Sequence, residues 1–317
     1  MRQKNALSIP HKSRGIMRWI KKNLPMTLFV LPGFAVMLIN NYAPMLGLVM
    51  AFKRMDNSRG IFGSPFNGFS NFGFLFKSNN AFIITRNTVL YNLAFILIGL
   101  VISLVIAIAL QELRSRMMAK VYQTIIILPY FLSFVVIGYI VYGLLSPELG
   151  FVNRTLMPFL GKDPVNWYSD LQYWPFILVF INCWVYCGIN SIIYSASITS
   201  IDMGLYESAV IDGASKWKQI RFITLPMLYP VISVLTLISL GNIFRGNFGL
   251  FYQVPLANPL LIPATDVLDT YIYRSLSKMG DLGMATAASL YQSVLGCFVI
   301  VSANLIIKKI NPDNAMF

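Results

Sequence analysis

Long apolar runs alternate with short polar segments along nearly the whole chain. Six runs, at about 24–51, 87–110, 121–145, 173–199, 222–244 and 284–307, contain no Asp, Glu, Lys or Arg. Arg221 and Arg245 sit just outside the two edges of the fifth. An uncharged apolar stretch of roughly 18 residues or more is long enough to span a bilayer as a helix. Backbone crossing hydrocarbon must satisfy its own hydrogen bonds, and isolated strands cannot do so. The pattern predicts an all-α polytopic membrane protein with six transmembrane helices.

The segments between the runs set the orientation. The first 23 residues hold seven basic side chains, and alternate loops add Arg114, Arg116 and Lys120, then Lys216, Lys218 and Arg221, then Lys308 and Lys309. That side of the membrane carries 15 of the 25 Lys and Arg residues. The excess of cations near span ends places it, with both termini, in the cytoplasm. The net charge of +13 is therefore a topology signal suited to an anionic lipid surface, and nucleic acid is not an expected partner. The first apolar run is longer than a signal-peptide core and lacks a small-x-small cleavage site, so it reads as a retained span.

The chain divides into a basic cytoplasmic tail (1–23), a first span with an extracytoplasmic loop (24–85), a core of five spans (86–310) and a short cytoplasmic C-terminal tail (311–317). Pro32-Gly33 and Pro44 mark expected kinks in the first span. Composition agrees with a membrane protein: 56% hydrophobic, 12% charged and mean hydropathy +0.65. Cys183, Cys187 and Cys297 lie in apolar runs and act as small hydrophobes. With His11 the only histidine, no metal site is expected.

One polar segment stands apart, the loop 200–226 between the fourth and fifth runs. It reads Glu207-Ser-Ala-Val-Ile-Asp-Gly-Ala-Ser-Lys-Trp217 and continues to Thr224-Leu-Pro226. Asp202 is placed to cap a short helix, and Gly213 supplies a turn where that helix ends. Leu205, Ala209 and Ala214 fit on one face, with small side chains permitting close docking. Glu207 and Asp212 offer carboxylates to a partner, and Trp217 is an amphipathic anchor.

This wording resembles the EAA loop of ABC importer permeases, whose coupling helix docks into a cleft of the ATPase subunit. Ser208 stands where the second Ala is usual, and Asp202 follows Ile201 where many relatives have Pro. The resemblance extends to Phe69-Ser-Asn71-Phe72 with Asn87-Thr88, to Leu128-Pro129, to Pro147-Glu-Leu-Gly150-Phe-Val-Asn153, and to Asp266-Val-Leu-Asp269 running on to Arg274 and Gly283-Met-Ala-Thr-Ala287. These look like the carbohydrate-uptake branch that handles oligo- or polysaccharide fragments. The resemblance implies a MetI-like permease fold in a bacterial cytoplasmic (inner) membrane. It further implies coupling through Leu205, Glu207, Ser208, Ala209, Asp212, Gly213, Ala214 and Trp217. A second permease, an ATPase dimer holding ATP and Mg, and an extracytoplasmic solute-binding protein are the implied partners.

The chain has no G-x-x-x-x-G-K-[ST] phosphate loop, no H-E-x-x-H and no G-x-S-x-G. It also lacks the mid-membrane charges of a proton- or sodium-driven carrier. It is expected to be a non-catalytic transport subunit whose energy comes from another polypeptide. Neutral sugar is held by aromatic faces and by amide or hydroxyl groups. Within or beside the spans these are Tyr139, Tyr142, Asn182, Trp184, Tyr186, Asn190, Tyr194, Asn242, Asn247, Tyr291 and Gln292; Arg245 has the charge to meet an acidic sugar, but its place at the end of the fifth span favours snorkelling to the interface. Asn182, Tyr186 and Asn190 recur every four residues, on one helix face. Such groups also serve as glue between helices. A peptide or amino-acid permease, and a membrane enzyme or scaffold, stay open as alternatives.

Overall fold

The computed structural model describes residues 13–56, 58–73 and 80–310. The C-terminal tail and the first part of the N-terminal tail lie outside these. The chain forms two compact units, Met1–Met50 and Ala51–Phe317. Among the described residues the structure is helical, with a single isolated bridge between Lys53 and Phe66 and no strand.

In the first unit, α1 (Ser13–Met37) starts about ten residues before the expected span. Arg and Lys are good helix formers, so the end of the basic tail joins the helix. Pro25 and Pro32 are accommodated within it. The irregularity comes later, as a π turn Leu38–Tyr42 passing into the 3₁₀ segment Ala43–Phe52. Pro44 has no N–H for an α-helical bond there. The amides of Asn40 and Asn41 donate to the carbonyls of Val36 and Met37, 3.1 Å each.

The second unit holds α2 (Asn80–Gln111), α3 (Arg116–Ile127), α4 (Phe134–Leu145), α5 (Trp174–Thr199), α6 (Met203–Ile211), α7 (Leu225–Gly241), α8 (Leu268–Ser277) and α9 (Leu282–Ile310). Counting Asn23–Phe52, five helices among the described residues are long and apolar enough to cross a membrane. The expected third span is not one straight helix: α3 and α4 are bent by 98°. Pro129 enters the 3₁₀ turn Leu128–Phe131, and Ser133 restarts the helix by accepting from the Val136 amide. A sixth span exists only if this bent pair is counted as one.

Lipid is as apolar as a protein interior, so close packing and polar fasteners, rather than burial from water, hold such a bundle together. Gly188 supplies close packing: a Cβ there would lie 2.3 Å from the Ile126 carbonyl oxygen, so only glycine lets α5 meet the end of α3. A buried cluster around Trp174, Leu178, Ile181, Val185, Ile137, Leu250 and Phe251 fills the space beside α4 and α5. The fasteners come from the motifs. Asn87 donates to the carbonyls of Pro263 and Asp266, 3.1 Å each, and the Thr88 hydroxyl accepts from the Leu268 amide. Asn153 donates to the carbonyls of Pro147 and Val165 and accepts from the Val165 amide and the Trp167 indole. Asn71 donates to the carbonyls of Ala51 and Lys53 and lies against Gly283. Arg274 closes on Asp266 through two hydrogen bonds, at 2.6 and 3.1 Å.

Candidate functional site

Two places concentrate the candidate residues: the loop between α5 and α7, and a polar cavity among α2, α5 and α7. The loop is built by local capping. The Asp202 carboxylate accepts from the Gly204 amide at 3.0 Å and starts α6. At the other end Gly213 takes φ +75°, which glycine adopts without cost. Its amide donates to the Val210 carbonyl, and the Ala214 amide reaches back to Ala209 at 2.8 Å, the paired bonds of a Schellman cap. The chain then makes a one-turn helix Lys216–Gln219, a π turn Ile220–Thr224 and α7.

Three side chains pin this loop from within. Gln219, buried, donates to the Ala214 carbonyl. Tyr206 shares a 3.0 Å hydrogen bond with Thr224, and the Ser208 hydroxyl donates to the Leu205 carbonyl. Large apolar side chains are left outward: Ile211 is 86% exposed, Trp217 80% and Leu205 43%, among exposed charged groups such as Glu207, Lys216 and Lys218. Ala209 and Ala214 are half-buried, while Asp212 is exposed. Glu207 lines a cavity of about 910 Å³ with Glu112, Arg114, Arg116 and Lys216. Lys216 pairs with Glu112 at 3.0 Å, and Gln111 donates to Thr199 at 2.9 Å. These contacts tie the 111–116 turn to the loop. The pairing of turn and loop was not expected, because the two segments are about a hundred residues apart.

The second cavity, about 610 Å³, collects Asn182, Tyr186, Asn190 and Tyr194 from α5 with Asn242 and Arg245 from the end of α7. The i, i+4 stripe on α5 therefore faces one space. Asn92 and Ser103 of α2, and Thr236 and Ser239 of α7, line it too. They had escaped notice, although a polar residue inside an apolar run was their signal. Among the described residues of the lining, Arg245 is the only charged one. Asn247 reaches the cavity wall indirectly, donating to the Tyr186 hydroxyl at 2.8 Å.

Other sequence candidates fall elsewhere. Tyr139 is 66% exposed. Tyr142 packs edge-on against Tyr168 and borders a separate space with Ser146–Leu149. Tyr291 shares a 3.4 Å contact with Thr85, and Trp184 is 40% exposed. Gln292 donates to the Phe244 carbonyl and to the Asp269 carboxylate. None of the five lines the cavity. Residue type alone does not reveal this.

Residues 99–312 match the family model of the binding-protein-dependent transport system inner membrane component. The chain belongs to this family. It is thus a permease, a multi-pass, non-catalytic subunit of the inner membrane. The permease is 30% identical to the polygalacturonan/rhamnogalacturonan transport system permease protein YteP of Bacillus subtilis, over 90% of this chain and 88% of that one. It is 29% identical to protein LplB of the same organism, over 93% and 92%. Among solved structures, it is similar to a chain of a bacterial ABC transporter involved in the import of the acidic polysaccharide alginate. There the TM-score is 0.85 and the identity 33%, covering 93% of this permease and 99% of that chain. It is likewise similar to a chain of a bacterial alginate ABC transporter in complex with an alginate pentasaccharide-bound periplasmic protein, with TM-score 0.84 and 33% identity over 92% of this permease and 97% of that chain.

Proposed function

We propose that this permease forms one half of the membrane channel of an ATP-driven importer for acidic oligosaccharides. A homologous permease supplies the other half. An ATPase dimer drives it through the exposed loop around Glu207 and Gly213, and an extracytoplasmic binding protein delivers the sugar.

The observation that carries the substrate class is the makeup of the 610 Å³ cavity, in which amide and hydroxyl groups surround a single cation, Arg245. Amides and tyrosines suit the hydroxyl edges and ring faces of a sugar. A guanidinium suits a uronate carboxylate, since charge-assisted bonds to carboxylates are roughly twice as strong as neutral ones. Relatives named for polygalacturonan and alginate transport support the same reading.

The test uses the complete transporter in vesicles, with its binding protein. Trigalacturonate should stimulate ATP hydrolysis more than the corresponding galactose trisaccharide. Arg245→Ala should abolish that preference while the complex still assembles. Equal stimulation by both sugars in the wild type would overturn the acidic-substrate reading. Uptake that persists without the ATPase would overturn the importer reading.

A further inference from the structure

After Gly241 the fifth span stops being a helix, and the backbone of residues 243–246 has lost its regular partners. Such groups must be satisfied inside a bilayer by neighbouring protein. The Ile243 and Arg245 amides donate locally to the Leu240 and Asn242 carbonyls, and three side chains from three helices hold the carbonyls of 243–245 and the Gly246 amide. The Asn92 amide of α2 donates to the carbonyls of both Ile243 and Arg245, 3.0 Å each. The Gln292 amide of α9 donates to the Phe244 carbonyl at 2.7 Å. The Asp269 carboxylate of α8 accepts from the Gly246 amide and from Gln292. A Cβ at Gly246 would lie 2.6 Å from Val267 and 3.1 Å from the Asp269 carboxylate, so glycine lets the strut close.

Two carbonyls two residues apart accept from one amide. The chain therefore stops advancing along the bundle at this level, and Arg245 stays beside Asn92 and Asn242 in the cavity wall. We propose that Gln292 and Asp269, with Asn92, are positioning residues that hold this break and so aim Arg245 into the cavity, making them second determinants of selectivity for anionic saccharides. Gln292 and Asp269 are absent from the cavity lining; both hold the backbone of the break, and Asp269 also lies within electrostatic reach of Arg245, so Gln292 is the cleaner test of positioning. The selectivity part rests on the reading of Arg245 given above, whereas the positioning part does not.

The experiment has two arms. In the assembled transporter, freed of Cys183, Cys187 and Cys297, a cysteine is placed at position 245 and its rate of modification by a water-soluble thiosulfonate is measured. With Gln292→Met, the rate should fall at least fivefold, while a control cysteine at position 190 on the opposite wall reacts as before. Asp269→Asn is read in the same assay and carries the test if the first variant does not assemble. An unchanged rate at 245, or equal losses at 245 and 190, would overturn the proposal.

In the second arm Arg245 is kept. The ratio of ATPase stimulation by trigalacturonate to that by the galactose trisaccharide should drop at least fivefold in Gln292→Met. Equal loss of both responses would reduce Gln292 to a packing role and overturn its part in selectivity. A wild type that does not distinguish the sugars would refute the substrate reading and the selectivity role together, while the thiol arm still decides the positioning.

Discussion

Replacing Gly213 tests whether the short helix α6 and its cap dock the ATPase. A Cβ at this position would meet nothing within 4 Å, so no clash complicates the result. What changes is the backbone, because φ is +75°. For an ordinary L-residue the left-handed conformation costs about 1–2 kcal/mol, while Asn tolerates it better. A cost of that size lowers the population of the intact turn relative to its alternatives by about 5–30-fold. If docking needs the turn, apparent affinity for the ATPase falls by up to that factor. Proline cannot reach φ +75° and also removes the hydrogen bond from the Gly213 amide to the Val210 carbonyl. Substrate-stimulated hydrolysis and ATPase retention on the purified permease pair should therefore fall in the order Gly, Asn, Ala, Pro. Normal stimulation and retention in Gly213→Pro, or no difference between Asn and Ala, would refute the reasoning.

Two further outcomes follow from packing and charge. Gly188→Ala drives a methyl group into the Ile126 carbonyl and should destabilise the complex by about 1–3 kcal/mol; thermal unfolding of the purified protein should show this, while Gly143→Ala, where the added Cβ meets nothing within 4 Å, should leave the transition in place. Burial pushes the Asp269 carboxyl above its ordinary value, against the lowering effect of the Gly246 and Gln292 amides, so its contribution to stability is fully present below about pH 4 and is lost as pH rises through the raised value. Unfolding midpoints measured from pH 4 to 8 should therefore fall more steeply in the wild type than in Asp269→Asn, and parallel curves would exclude this carboxyl as the cause.

Much of the fold was legible because the bilayer enforces it. A charge-free apolar run has few structural choices, and Trp174–Thr199 matches the expected fourth span to within one residue. The 98° bend between α3 and α4 was not legible. Leu128-Pro129 was noted only as part of a motif, and a proline alone does not distinguish a gentle kink from a corner. The corner also depends on Ser133 capping a new helix. At the cavity, the four-residue spacing of Asn182, Tyr186 and Asn190 was sufficient, since residues so spaced share a face whatever surrounds them. Tyr139, Tyr291 and Gln292 had no such spacing, and their direction depends on which neighbour each helix packs against. Asn92 was missed for the same reason, because its partners Ile243 and Arg245 lie about 150 residues away.

The motif residues show why polar side chains sit where they do in such a chain. Asn71, Asn87, Asn153 and Asp269 each bind at least one backbone group outside regular helix, at Lys53, Asp266, Val165 and Gly246. A continuous membrane helix needs no such help, whereas a break exposes amides and carbonyls to hydrocarbon unless protein supplies partners. A single hydrogen bond of this kind contributes only about 0.6 kcal/mol on average within membranes, too little to explain a fixed polar residue by stability alone. Its value lies in geometry, because the bond selects one shape for a segment that otherwise has several. The break at residues 242–247 is the clearest case. It joins α7, whose far end continues from the capped loop at Gly213, to Arg245 in the cavity wall. The same helix thus follows the glycine-capped loop at one end and ends in a side-chain-held turn at the other. If the proposed docking at the Gly213 loop is right, motion entering there reaches the cavity through this helix, and a variant that frees the second turn should uncouple the two ends.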